Sequence, residues 1–237
     1  MFRHQGKSRT LSHNKKIASL LSFVAGVVNV VGFLSVKRLT TNVTGHFAFF
    51  IDEVFKFHFT ESFIFFLFIL FFFLGSFFSS LLVEIIAIKN DKFIFFIPTI
   101  IESVILITIA VTGNILIKNH ANLIAYSLLF AMGLQNSLVT RISNAVVRTT
   151  HLTGLFTDLG IELSQLFFYK QADQQKKLIS TIKLRLRIIT FFFTGGLLGG
   201  IFYPFMSFYL LLLPSTMLIV GLFYDNLKFR VLSWKRN

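Results

Sequence analysis

Residue types that mark several other protein classes are scarce in this sequence of 237 residues, which has no cysteine, three prolines and ten acidic residues. Without cysteine, a disulfide-stapled secreted domain and a cysteine-ligated metal site are excluded. Charged residues make up 14% of the chain, whereas soluble domains hold roughly 25%. This shortage argues against a typical cytosolic enzyme and against a disordered chain.

Apolar residues are present in excess, at 54% of the chain, with 33 phenylalanines and a mean hydropathy of +0.75. A soluble domain of this size could not bury so much apolar surface in one core. The composition predicts a polytopic membrane protein that has the lipid bilayer as its partner. The net charge of +13 is interpreted as basic loops and termini, so we expect no nucleic acid as a partner.

Five apolar stretches predict the membrane helices, each of which needs about 20 residues to cross a bilayer. Four of them are long enough for one helix, and residues 188–224 are long enough for two, with a turn near residues 203–209. The single-helix stretches are residues 17–36, 62–88, 93–117 and 121–140. The predicted fold class is therefore an all-α bundle of about six transmembrane helices.

The predicted organisation is a basic segment (residues 1–16), two membrane halves (residues 17–117 and 121–224) and a basic tail (residues 225–237). With six spans, 19 of the 23 Lys and Arg residues fall on the side of the two termini. The positive-inside rule then predicts that both termini are cytoplasmic. The apolar run near the N-terminus is interpreted as a retained membrane helix rather than a signal peptide.

Two segments are apolar enough to touch the membrane but carry charges, namely residues 40–59 and 151–169. A broken or re-entrant helix, packed against protein, fits such segments better than a lipid-exposed span. A seven-span arrangement, in which residues 151–169 cross the membrane, remains open, although it divides the basic residues less cleanly between the two sides.

An internal repeat links the two halves. The pattern T-T-x-x-T-G occurs at residues 40–45 (the first motif) and again at residues 149–154 (the second motif), 109 positions later. Upstream, Gly26-x-x-Asn29 matches Gly133-x-x-Asn136. Three spans per half would place the second half upside down relative to the first, and inverted repeats with polar breaks are typical of transporters.

The sequences AMGLQN (residues 131–136), RTTHLTG (residues 148–154) and TDLG (residues 157–160), with a similar stretch at residues 26–46, resemble the YoaK family, also called DUF1275. The common pattern of that family has an acidic residue where Asn29 stands. The resemblance implies a multi-pass protein of the bacterial cytoplasmic (inner) membrane, and it implies no particular activity.

A substrate site built from the two motifs is the leading hypothesis, because half-helices that start after the glycines would direct their N-terminal dipoles at an anion. The alternatives are that the threonines cap helices, that the asparagines hold helices together, and that Arg148 and Asp158 neutralise each other or are simply solvated. The predicted substrate-binding residues are Asn29, Thr44, Gly45, His46, Asn136, Arg148, Thr149, Thr150, Thr153, Gly154 and Asp158.

Two further features lie inside predicted spans. Glu102, the tenth residue of its span, is interpreted either as a proton-coupling residue or as a hydrogen-bonded structural acid. The glycines of residues 195–200 allow close helix contacts, either within the bundle or in a homo-oligomer. The glycines concerned are Gly195, Gly196, Gly199 and Gly200.

The predicted function is a small-solute transporter or permease with a small-molecule or anionic substrate. The alternative is a non-transporting accessory protein or a membrane enzyme that uses the same cavity. Because the sequence contains no hydrolytic, redox, nucleotide-binding or metal-binding signature, we expect no catalytic residues, no cofactor and no bound metal.

Overall fold

The computed structural model of the chain describes residues 11–89, 94–143 and 145–234, and the regular structure in these ranges is entirely helical. Most of the predicted N-terminal segment (residues 1–10), the end of the tail (residues 235–237) and position 93 lie outside the described residues. The helices are α1 (Leu11–Val36), α2 (Thr44–Phe55), α3 (Phe59–Lys89), α4 (Phe96–Leu116), α5 (Ala121–Ser143), α6 (Leu152–Phe168), α7 (Ala172–Met206) and α8 (Leu212–Trp234).

Five helical stretches in the described part of the chain are long and apolar enough to cross a membrane, and they begin with α1, α3, α4, α5 and α7. The last stretch, Ala172–Tyr224, is 53 residues long and contains both α7 and most of α8. The predicted all-α, polytopic bundle is confirmed, and the observed helices start and end within a few residues of most of the predicted spans.

The turn between the last two helices lies where the sequence predicts it. Pro204 is close to the end of α7, and Ser207 has a φ of 50°, after which a short 3-10 helix leads into α8. Phe208 packs against Gly113 near the end of α4, and α8 packs against α4. The chain therefore turns at Ser207 and α8 runs back along α4.

Helix α7 begins at Ala172 rather than near residue 188. Residues 172–187 are too polar to resemble a membrane span, but they are rich in Lys, Gln, Leu and Arg, which are good helix formers. Leu178 and Ile182 in this part are buried, and α7 packs against α6. Packing thus extends the helix beyond its apolar part.

The two ambiguous segments form short helices. Helix α2 has 12 residues and α6 has 17, and neither is among the stretches that are long and apolar enough to cross a membrane. Helix α2 packs on α3, and α6 packs on α7. This arrangement fits the predicted broken segments that lie against protein.

The same packing pairs occur in both halves. Helix α1 packs on α7 as α5 packs on α3, and α8 packs on α1 as α4 packs on α5. At Gly26 an added Cβ would collide with the carbonyl oxygen of Phe192, and at Gly133 it would collide with that of Phe72. Each Gly-x-x-Asn glycine therefore permits close contact between two helix backbones.

The glycines of residues 195–200 face α1 of the same chain. A Cβ at Gly195 would collide with the backbone of Phe23, and one at Gly199 would lie 3.4 Å from Val30. Close packing of α7 on α1 explains the glycine pattern within one chain. Association of two chains through these glycines stays a prediction.

Candidate functional site

The first motif folds back onto the end of α1. The hydroxyl of Thr41 donates to the side-chain oxygen of Asn29 over 2.7 Å, and the hydroxyl of Thr40 donates to the Val28 carbonyl over 3.3 Å. Both threonines are buried. Because the chain leaves α1 at Val36, these contacts hold the segment before α2 against the preceding helix.

The second motif makes the matching contact with α5. The hydroxyl of Thr150 donates to the side-chain oxygen of Asn136 over 2.8 Å, and Asn136 donates to the Met132 carbonyl over 2.8 Å. The Gln135 amide donates to the hydroxyl of Thr149 over 3.2 Å, and Thr149 is wholly buried. The two motifs are thus built on the same asparagine–threonine contact.

The two contacts lie at different levels of the bundle. Gln135, next to Asn136, donates to the Leu21 carbonyl of α1 over 2.9 Å, whereas the first contact is at Asn29 of the same helix. Leu21 and Asn29 are eight residues apart, which corresponds to about 12 Å along a helix. Among the described residues, no hydrogen bond or ion pair joins the first motif to the second.

The third threonine of each motif is not part of these contacts. Thr44 and Thr153 are exposed, and the helices begin at Thr44 and Leu152, before the glycines rather than after them. The residues that precede the helices, Val43 and His151, form no side-chain cap. The sequence-based placement of the helix starts after the glycines is therefore wrong by two residues in the first motif and three in the second.

Both motif glycines lie close to side chains. A Cβ at Gly45 would lie 2.6 Å from Cδ1 of Leu39, and one at Gly154 would lie 2.7 Å from the His151 ring. These neighbours are side chains rather than backbone, so they can move at a lower cost than the helix backbones at Gly26 and Gly133.

His46 is buried against α3. Its Nε2 lies 2.5 Å from the Leu39 carbonyl, its Nδ1 has no partner, and its ring centroid is 4.8 Å from that of Phe68. Burial lowers the pKa of His46 below its ordinary value of 6.5, the Leu39 carbonyl opposes this effect, and the charge of Arg38 adds to it. The side chain therefore fastens α2 to α3 as a neutral ring.

A pocket of about 420 Å³ lies beside the second motif, where the loop before α6 faces the polar part of α7. Its lining includes Arg148, His151, Gly154, Asp158 and Arg185. Arg148 is exposed and forms no ion pair with any described residue. The pocket therefore brings together three predicted site residues, Arg148, Gly154 and Asp158. Arg148 is the member of this set that carries an unpaired positive charge.

The predicted pairing of Arg148 with Asp158 is not observed. Arg185 of α7 binds both acids of α6 instead, with Nη1 at 2.8 Å from Asp158 and Nε at 2.8 Å from Glu162. Arg185 and Glu162 are largely buried, with 23% and 12% of their side-chain surfaces exposed. The tertiary contact between α6 and α7 decides the partner, rather than proximity in sequence.

Glu102 lies inside α4 and is wholly buried. Neither of its carboxyl oxygens has a hydrogen-bond partner. The described ranges contain no group of three or more His, Asp or Glu side chains that could hold a metal ion. Glu102 is not among the residues that line the pocket beside the second motif.

Several residues with hydrogen bonds or ion pairs at the motifs and the pocket are missing from the sequence-based site, among them Thr40, Thr41, Gln135 and Arg185. Thr41 is found by aligning it with Thr150 in the repeat, and Gln135 is an amide inside a predicted span beside Asn136. Arg185 gave no signal, because it lies in a basic stretch that looks like a solvated loop.

A family model described as a protein of unknown function, DUF1275, matches residues 17–224 of the chain. No match was found among the curated proteins or among the solved structures. The matched region contains both motifs, Glu102 and all five apolar stretches that are long enough to cross a membrane.

Proposed function

The chain belongs to the DUF1275 family and is an integral membrane protein, and we propose that it transports a small polar solute across the cytoplasmic membrane. In this proposal the two halves are inverted repeats, both termini are cytoplasmic, and the solute is bound at the two motifs in turn. Inverted halves with polar breaks at corresponding positions are a recurrent construction of secondary transporters.

The observation that carries the proposal is the repeated asparagine–threonine contact. Thr41 binds Asn29 and Thr150 binds Asn136, with oxygen–oxygen distances of 2.7 and 2.8 Å. A purely structural cap would satisfy backbone groups at a helix end, whereas these hydroxyls reach a side chain in the preceding helix. Side-chain hydroxyls and amides both donate and accept hydrogen bonds. A polar solute can therefore replace the threonine as the partner of the asparagine, or the asparagine as the partner of the threonine.

The levels of the two contacts favour a passage rather than a single surface site. Asn29 is seven residues from the end of α1, and Asn136 is seven residues from the end of α5. Each contact thus lies about 10 Å inside a helix end. If the halves are inverted, the contacts lie on the two sides of the membrane centre, one towards each side to which an alternating-access transporter opens.

The pocket beside the second motif supports an anionic solute. Arg148 is exposed at this pocket and forms no ion pair with a described residue, while the charge of Arg185 is shared with two carboxylates. A guanidinium without a carboxylate partner is suited to bind a carboxylate or phosphate through two hydrogen bonds. Arg148 is therefore proposed as the first residue that an anion meets.

A two-stage experiment tests the proposal. The purified protein is screened for a rise in melting temperature with inorganic phosphate, succinate, glutamate and glucose, and any stabilising compound is then tested for uptake into proteoliposomes. The expected result is saturable uptake that Thr41→Val and Thr150→Val each reduce. Thr108→Val serves as the matched control, because Thr108 is exposed and its hydroxyl binds only the Val104 carbonyl of its own helix.

Stabilisation by a compound without any uptake would contradict transport and favour the accessory-protein alternative. Unchanged uptake in both motif variants would contradict the proposed binding site but not transport itself. The two results separate the activity from the residues assigned to it.

A further inference from the structure

Glu102 is an acid at membrane depth without a visible counter-charge. It lies in α4, is wholly buried, and both carboxyl oxygens are without a hydrogen-bond partner. No described basic side chain forms an ion pair with it. An unpaired carboxylate is costly in such a place, so the neutral acid is the form that this environment accepts.

Gln135 supplies an unpaired acceptor at the same level of the bundle. Helices α4 and α5 are joined by a short connection and pack on each other. Glu102 lies 14 residues before Leu116, the end of α4, and Gln135 lies 14 residues after Ala121, the start of α5. Equal rise along both helices therefore places the two residues at a similar height in the bundle.

The side-chain amide of Gln135 donates hydrogen bonds through its nitrogen, whereas its oxygen accepts none from the described residues. Its Nε2 donates to the Leu21 carbonyl over 2.9 Å and to the Thr149 hydroxyl over 3.2 Å, while its buried Oε1 has no partner. A protonated carboxyl group has one O–H donor, which is the group that Oε1 lacks.

We propose that Glu102 is a proton-binding site, in which the neutral carboxyl group donates its O–H to Oε1 of Gln135, and that Gln135 transmits the loss of this proton to Thr149 of the second motif. Ionisation would leave the carboxylate and Oε1 as two acceptors without a proton between them. The amide would then be repelled, and its hydrogen bond to Thr149 would weaken. The use of this proton to drive transport rests on the proposed function, but proton binding itself does not.

Infrared spectroscopy of the full-length protein in detergent at neutral pH tests the proton directly. A protonated carboxyl group gives a C=O band that is separate from the bands of carboxylates and peptide groups. The expected result is one such band that disappears in Glu102→Gln. Glu84→Gln is the matched control, because Glu84 is an exposed acid paired with Arg141 at the end of α3, and the band should survive this change.

The hydrogen bond to Gln135 has its own measurement. In Gln135→Leu the carboxyl O–H loses its acceptor, so the band should move to higher wavenumber while Glu102 stays protonated. If Gln135→Leu gives no folded protein, Gln135→Asn can replace it. The side chain of Asn is one methylene shorter, so its amide oxygen lies farther from the carboxyl group and the band should again move to higher wavenumber.

Two results would overturn the inference. Absence of the band from the wild-type protein at neutral pH would show that Glu102 is ionised, which leaves the transport proposal intact. A band that does not move in either Gln135 variant would show that the proton has another acceptor and that Glu102 is not linked to the second motif through Gln135.

Discussion

The hydroxyl of Thr150 donates a hydrogen bond to the side-chain oxygen of Asn136 over 2.8 Å, although 14 residues separate them in sequence. Thr41 and Asn29 repeat the contact over 2.7 Å in the other half. A polar side chain inside a membrane helix needs such a partner, because water is excluded around it. The repeat therefore preserves a contact between a helix and the chain that follows it.

Removal of either hydroxyl should destabilise the fold slightly. Thr41→Val and Thr150→Val keep the side-chain shape but leave an asparagine oxygen without its donor. We expect each variant to lose about 0.5–1.5 kcal/mol of unfolding free energy, measured as a lower melting temperature in detergent.

The third threonines provide the comparison for this experiment. Thr44 and Thr153 are exposed and their hydroxyls form no side-chain hydrogen bond, so valine at either position should leave the melting temperature unchanged. Equal destabilisation by all four variants would contradict the assignment of the stabilising contacts to Thr41 and Thr150.

Gly133 should not tolerate a larger residue. In Gly133→Ala the new Cβ would meet the carbonyl oxygen of Phe72, a backbone atom that cannot rotate away, so α3 and α5 must separate. We expect a loss of about 1–3 kcal/mol, as for other overpacked interiors.

Gly160→Ala is the control, because Gly160 lies within α6 with no atom within 4 Å of an added Cβ. Alanine is better than glycine inside a helix by about 0.8–1.0 kcal/mol, so this variant should be more stable than the wild type. A stable Gly133→Ala protein would show that the two helices are not in close contact at this position.

Much of the fold is predictable because a membrane span needs a long apolar run, and such runs are visible without any tertiary information. The start of α7 at Ala172 is not visible in this way, since its polar first half is helical through packing on α6 rather than through hydropathy. Hydropathy locates the apolar part of a helix but not its ends.

The candidate site is predictable only where the repeat carries information. The repeat identifies the motifs and both asparagines. The predicted site includes Thr44 but not Thr41, because sequence alone does not show which hydroxyl turns towards the preceding helix. The pairing of Asp158 with Arg185 depends on the docking of α6 on α7. No spacing rule within one helix predicts such a contact.

His46 should make stability depend on pH. Its folded pKa is lowered by burial, so below the ordinary value of 6.5 the unfolded chain binds more protons than the folded one. The contribution of His46 to the free energy of unfolding is fully present above pH 6.5 and decreases as the pH falls below that value. Melting temperatures between neutral pH and pH 5 should show this decrease.

In His46→Gln the group that titrates is lost, while an amide can still donate to the Leu39 carbonyl, so the decrease below pH 6.5 should become smaller. His120→Gln, a change at an exposed histidine, is the control and should leave the decrease in melting temperature as it is in the wild type. An identical pH profile for wild type and His46→Gln would assign the effect to other groups.

The orientation of the chain can be measured with a fused reporter. Green fluorescent protein after Asn237 should fluoresce in bacterial cells, because 19 of the 23 basic residues lie on the side of the C-terminus in the six-span arrangement. An external C-terminus, detected with a periplasmic phosphatase fusion, would contradict six spans and with them the inverted repeat.

Arg185 and Arg148 should behave differently although both line the pocket. Arg185→Met removes the cation that pairs with both Asp158 and Glu162. Only 12% of the Glu162 side chain is exposed. A buried polar group without its partner costs about 1–3 kcal/mol and a charged one more, so the melting temperature should fall. Arg148→Met removes an exposed cation without an ion pair, and it should leave stability unchanged while weakening the binding of any anion found in the screen.

A third variant separates the ion pair from the packing of the Arg185 side chain. If the pair is responsible, Glu162→Gln combined with Arg185→Met should cost less than the sum of the two single changes, since the second change removes the charge that the first left unpaired. Additive losses would instead assign the effect to lost contacts of the Arg185 alkyl chain with its neighbours. The docking of α6 would then depend on apolar packing, with Leu155 and Leu159 as its buried residues.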